Sequence, residues 1–204
     1  MSYFNNEFDD FTRHEIFQVI CENGNIEDGI NFIKINTDFT ELLEDFEEGF
    51  SNACGNGNKK FAEWMLTVDP YLNICTNENE PFRFACANGH ITVAKWLYRM
   101  EPNMDISIHE DEALRFACSN GHISIVEWLL NVNPKINMSV CDNDAFRRAS
   151  ANGHRNICEL ILKNKKKLKI TKSIFQNEIF RNACVNGHNV FAKWLLSNEK
   201  NIIQ

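Results

Sequence analysis

Apolar residues recur three to four positions apart along most of the chain, in pairs of short blocks. In the segment from Glu80 to Asn88 they fall at Phe82, Phe84, Ala85 and Cys86. A brief break follows, and then Ile91, Val93, Ala94, Leu97 and Tyr98 resume helical spacing. The second block returns as Ile123, Ile125, Val126, Leu129 and Leu130. This pattern predicts two short amphipathic helices joined by a tight turn, repeated along the chain. Glu80 at the positive end of the first helix and Pro81 where no amide donor is needed mark its start. Asn88-Gly89 stops it, because Gly accepts the left-handed backbone that ends helices.

The unit repeats with a fixed period. Gly24, Gly57, Gly89, Gly121, Gly153 and Gly187 are spaced 33, 32, 32, 32 and 34 residues apart, each preceded by Asn. Three residues before each Gly stands Cys21, Cys54, Cys86, Cys118, Ser150 or Cys184. Seven before it is Phe17, Phe50, Phe82, Leu114, Phe146 or Phe180, and nine before it always an acid. Pro70, Pro102 and Pro134, each thirteen residues past its Gly, end the second helix and open a connector. Alternating residues such as Leu72-Asn73-Ile74 and Met104-Asp105-Ile106 follow.

Composition narrows the class. The 204 residues, 44% hydrophobic and 24% charged, suffice for a packed core, and nine Gly with four Pro are too few for a turn-dense β-sandwich. The longest apolar stretches are a few residues, and Glu7, Asp9 and Asp10 occupy the start where a signal peptide is basic, so a soluble, unexported chain without membrane insertion is expected. Charge is graded: residues 1–50 carry a net charge of −11, residues 51–146 of −5 and residues 147–204 of +9.

Phe82-Arg-Phe-Ala-Cys-Ala-Asn-Gly-His90 and its copies resemble the ankyrin repeat, whose consensus runs T-P-L-H-x-A-A-x-x-G-H and continues to V-x-x-L-L. The Asn-Gly-His form with Phe and Cys is most similar to ankyrin proteins of large amoeba-infecting DNA viruses. The resemblance implies an all-α ankyrin-repeat solenoid of stacked helix-turn-helix units with connecting fingers. Repeats fall at 46–76, 78–108, 110–140, 142–172 and 176–204, behind an acidic cap over 1–45 that holds a degenerate repeat, with Asp28 and Gly29 where later units have Val93 and Ala94. The family Gly of the finger is replaced by Glu78, Glu110, Asp142 and Gln176, and its first His by Arg83, Arg115, Arg147 and Arg181. Each Arg follows the acid by three residues, a spacing that supports an ion pair at each helix start.

The chemistry-bearing residues are mostly absorbed by the repeat. Cysteines at equivalent places in stacked units sit too far apart to bridge, since helices pack about 8–10 Å apart and a disulfide needs Cα atoms within about 7 Å. No disulfide-linked partner is expected. His90, His122, His154 and His188 occur once per unit, which spreads them too widely for one zinc ion. The resemblance implies instead that these rings hydrogen-bond across adjacent repeats. Trp64, Trp96, Trp128 and Trp194, with Leu160 in the same slot, fit packing between units better than stacking on bases. His109 beside Glu110, Asp111 and Glu112 is a weak metal candidate. Walker, G-x-G-x-x-G, G-x-S-x-G and H-E-x-x-H signatures are absent, so a non-enzymatic chain with no catalytic residue, metal or cofactor is expected.

The function implied by the resemblance is that of a protein-binding scaffold or adaptor, engaging a host-cell protein in the host cytoplasm if the chain is viral. The family's variable contact positions fall on Thr76, Asn77 and Asn79, on Ile108, His109 and Asp111, on Val140, Cys141 and Asn143, and on Ile174, Phe175 and Asn177. A rival reading rests on Lys163, Lys165, Lys166, Lys167, Lys169 and Lys172, six cations without an acid. They either complement a helix end or attract nucleic acid or another anionic surface, and both readings stay open.

Overall fold

A computed structural model of the chain describes residues 12–36, 43–134, 136, 139–163 and 170–203. Helices dominate these residues, and no strand occurs among them. The chain gathers into two bodies: residues 1–85 with 92–104, and residues 86–91 with 105–204.

The first body begins with α1 (Arg13–Asn23) and α2 (Ile26–Ile35), then α3 (Leu43–Gly55) and α4 (Lys59–Val68). It also holds most of α5 (Thr76–Ala87) and α6 (Ile91–Met100). The degenerate N-terminal unit is a genuine helix pair. Thr12 and Glu15 form a reciprocal capping box at the start of α1, and the Asn25 side chain caps α2. Phe17 is fully buried, stacked on Phe32 at 5.0 Å and on Phe46 of α3 at 5.1 Å. Gly49 lets α3 approach closely, because a Cβ there would lie 2.7 Å from Cys21 Sγ. Gly29, which breaks the apolar pattern of α2, leaves room for the Trp64 ring.

The second body carries α7 (Ile108–Ser119), α8 (Ile123–Val132), α9 (Val140–Ala151) and α10 (Arg155–Lys163). A composite segment follows: α11 (Lys172–Ile174), a π-helical stretch (Phe175–Phe180) and α12 (Arg181–Val185). Then come α13 (Asn189–Ser197) and α14 (Glu199–Ile202). Leu114, Phe146, Ile125, Leu129, Ile157 and Leu195 form its core, all buried at the positions given by the apolar period. Each connector opens where expected, α8 ending at Val132 ahead of Pro134. Met104 and Ile106 are buried around exposed Asp105, so the alternation is real although it belongs to an irregular connector.

The Asn-Gly-His turns join neighbouring repeats. Gly121 has φ +84°, open to Gly and costly to other residues, and a Cβ on it would stand 2.7 Å from the His154 ring of the next repeat. Gly89 meets His122 and Gly153 meets His188 in the same way. Asn120, Asn152 and Asn186 donate through their side chains to the carbonyls of Ala87, Ser119 and Ala151, one repeat back. His154 Nε2 lies 3.0 Å from Ser119 O. In the first body Asn58 takes the His slot, bonding the carbonyls of Cys21 and Glu22.

His122 titrates below the ordinary imidazole range, chiefly because burial penalises its cation, with His90 and His154 adding repulsion and a hydrogen bond to Ala87 opposing them. A depressed folded-state pKa means that the contribution is present at neutral pH and is lost as pH falls through the folded value. Thermal melts should therefore show stability declining from about pH 7 to about pH 5, and His122→Asn, the residue natural to this slot in Asn58, should flatten that decline.

Candidate binding surface

The three inner fingers share an unusual backbone. Asn77, Glu78 and Asn79 have φ of 47°, 59° and 63°; His109, Glu110 and Asp111 have 51°, 57° and 59°; Cys141, Asp142 and Asn143 have 49°, 55° and 62°. Each finger is one left-handed turn without a glycine, an arrangement that costs roughly 1–2 kcal/mol per residue before compensation. Asn, Asp and His tolerate this region better than most side chains, and they supply six of the nine positions. A backbone bond spans each turn, from Asn79 N to Cys75 O, Asp111 N to Ser107 O and Asn143 N to Ser139 O, at 3.0–3.3 Å.

The repeat Arg holds the turn from below. Arg83 donates to the carbonyls of Glu78 and Asn77 at 3.1 Å, and Arg115 to those of Glu110 and His109 at 2.9 and 3.0 Å. Arg147 reaches Cys141 O. The expected ion pair three residues back is seen for Arg147 and Asp144 at 3.5 Å, but the recurrent role of this Arg is to satisfy finger carbonyls. Its charge also links repeats: Arg115 bonds Asp144 at 2.9 Å, and Arg147 bonds Glu178. Arg148 completes the set, 2.6 Å from Asp144 and over the Phe116 ring at 5.4 Å. Asp144 is thus a buried carboxylate shared by three guanidinium groups.

The predicted contact positions divide sharply by exposure. Asn77, His109, Cys141 and Asn177 are exposed, and Ile108 and Ile174 are half-buried. Thr76, Asn79, Asp111, Asn143 and Phe175 are buried, between 0% and 7% exposed, so these five are corrected from surface contacts to internal supports. The reason is the left-handed turn, whose third residue points inward while its first two project. Thr76 hydrogen-bonds Glu47 at 2.5 Å. Phe175 packs against Phe180, because the last finger is helical: two extra residues in this repeat, and Ile and Phe where inner fingers have Asn or His, remove the left-handed turn. Val140 begins α9.

The structure adds residues beyond those expected from the sequence. Glu110 and Asp142 are exposed tip residues, and Cys141 Sγ donates to Glu110 Oε2 at 2.5 Å, so adjacent fingertips of the second body touch. Phe116 lies on α7 and Arg148 on α9, the first helices that carry those fingers. Their place in the unit, five residues before each Gly, was the available signal. Arg148 is exposed and Phe116, beneath its guanidinium, is half-buried.

Among the described residues no three His, Cys, Asp or Glu side chains gather to hold an ion, and no helix is long and apolar enough to cross a membrane. Lys163 and Lys172 are exposed, whereas Lys165, Lys166, Lys167 and Lys169 lie outside the described residues. The eight cysteines are thiols. Burial raises Cys86 and Cys118 far above the ordinary range and pushes Cys158 up to about 12. Cys141, though exposed, is raised by its bond to the Glu110 carboxylate. Alkylation of the native protein should therefore modify Cys184 first and Cys141 more slowly, leaving Cys86 and Cys118 until denaturant is added; mass spectrometry of the time course tests the order.

A comparison with curated proteins finds no match. The family model described as Ankyrin repeats (3 copies) matches residues 50–140 and 105–174, more than half of the sequence. Ankyrin repeats are generally protein–protein interaction modules and typically non-enzymatic. With the helix pairs, the Asn-Gly-His joints and the fingers in the same register, the chain belongs to the ankyrin repeat family.

Proposed function

We propose that the chain binds a partner protein through the fingertips and first-helix surface of its second body. The observation that carries this reading is that His109, Glu110, Cys141 and Asp142 project from turns held rigid by arginine. Pre-set side chains lose little freedom on binding, and tip residues that differ between repeats on a constant scaffold provide specificity by patchwork. Phe116 and Arg148 supply the aromatic and guanidinium groups that dominate contact energies. The Asn-Gly-His form of the repeat supports a viral scaffold or adaptor, and hence a host cytoplasmic protein as partner.

The test compares two variants for retention of a purified partner obtained by affinity capture. A tip variant, His109→Ala with Glu110→Ala and Asp142→Ala, should lose most binding, while Lys165→Ala with Lys166→Ala and Lys167→Ala should keep it. Circular dichroism controls for folding. Full binding by the tip variant beside loss in the lysine variant would assign the function to an anionic ligand instead, and binding would then weaken steeply with salt.

A further inference from the structure

In the second body, neighbouring repeats are tied by permanent charge. Arg115 and Arg147, six residues before their Gly, bond Asp144 and Glu178, nine before the next one. The joint between α1 and α3 departs from this rule. Gln18 stands in the arginine slot, its Oε1 accepting from the Asn52 side chain at 2.7 Å, so no charge reaches α3 from that position. Glu48, the acid nine before Gly57, is met instead by His14, whose Nε2 lies 3.7 Å from Glu48 Oε2. The other ring nitrogen, Nδ1, lies 2.7 Å from Oδ1 of Asp45, a carboxylate whose side chain is 14% exposed. One imidazole of α1 thus spans two carboxylates of α3.

Only the cation satisfies both. A neutral imidazole carries one N–H, so it donates toward one carboxylate and turns a lone pair on the other. The charges around the ring favour protonation. On α1, Glu15 adds negative charge, while Arg13, 3.7 Å from Asp45 Oδ2, competes for the same carboxylate. Asp45 and Glu48 face it from α3; among the described residues, Glu27, Asp28 and Lys34 of α2 neither bond the ring nor alter its titration. His14 accordingly titrates above the ordinary imidazole value of 6.5, chiefly through its hydrogen bond to Asp45, with burial acting in the opposite sense.

We propose that His14 is a proton-operated clasp between α1 and α3, closed while the ring carries its proton and slackened when it does not. A folded-state value above the unfolded one means that the contribution is complete below the ordinary value of 6.5 and is lost as pH rises through the folded value. The response runs opposite to that of His122 and is local to the first body. It does not involve the fingertip surface.

Hydrogen exchange of the α1 amides tests it, corrected for intrinsic rates and compared with a His14→Gln chain between about pH 5.5 and about pH 8.5. Relative to that chain, wild-type protection should fall by about two- to fivefold as pH rises, the scale of one exposed ion pair. High salt should shrink the difference. His14→Arg, which installs the cation that Arg115 and Arg147 supply elsewhere, should keep the acid-level protection throughout. Side-chain NMR should find the wild-type His14 midpoint lowered by Asp45→Asn. A wild-type profile parallel to that of His14→Gln would overturn the proposal, as would a fall that persists unchanged in His14→Arg or a midpoint that Asp45→Asn leaves in place.

Discussion

Replacing Phe146 by Ala should cost about 3–5 kcal/mol, read as a lowered midpoint in denaturant melts with little change in slope. Phe146 is 0% exposed and is the bulky residue seven before Gly153, at the joint between α9 and its neighbours in the second body. Truncation loses the burial of the ring and leaves a cavity that stacked helices, pinned at each turn by Asn and His bonds, collapse into poorly. Phe82→Ala, also 0% exposed, should show a similar loss, and Leu114→Ala about 2–5 kcal/mol. A loss below about 0.5 kcal/mol at all three would contradict the assigned helix faces.

Asp144→Asn should be the most damaging polar change, at about 2–4 kcal/mol. The carboxylate side chain is 8% exposed and is bonded by Arg115, Arg147 and Arg148. A neutral amide presents its own N–H groups toward those donors and leaves buried guanidinium charge uncompensated. Arg115 is the most buried of the three, at 16% exposure, so stranding its charge without a partner does the most harm. Replacing the pair together, Arg115→Met with Asp144→Leu, should recover part of the loss, because apolar groups of similar volume need no partner. The double-mutant cycle in urea measures the coupling, and a cycle closing near zero would remove Asp144 from its place as the shared acceptor.

The period made much of this fold legible. Once six glycines mark the phase, Phe82, Leu114, Phe146 and the Cys slot fall at one depth in every unit, and the structure buries the inner copies. Helix ends were equally readable from Asn-Gly and Pro, which act through backbone constraints that tertiary context rarely overrides. The N-terminal pair was harder: Asp28 and Gly29 break the apolar pattern, but Gly29 is small to admit Trp64, a long-range cause that local pattern cannot carry.

The fingers were the least legible. Glu78, Glu110 and Asp142 stand where the family has Gly, and nothing in their identity signals three consecutive positive φ angles. The compensation comes from Arg83, Arg115 and Arg147, five residues beyond each centre, whose spacing to the acids suggests ordinary helix-surface pairs. The turn's handedness decides which side chains project, and without it Asn79, Asp111 and Asn143 look like surface positions while Glu110 and Asp142 draw no notice. In the last finger the shift of two residues in period was visible, but not that a π-helical stretch would take it up.

Handing the left-handed turn to an arginine beneath it changes what a fingertip can present. Where glycine makes the bend, the apex offers only backbone, and diversity is confined to its flanks. Here Glu78, Glu110 and Asp142 place a full side chain at the apex itself, and the guanidinium donors bind carbonyl oxygens that every amino acid possesses. The supporting bonds are therefore indifferent to which residue occupies the tip. Each such loop gains a third variable letter, and exchanging that letter leaves the lock that shapes the loop in place.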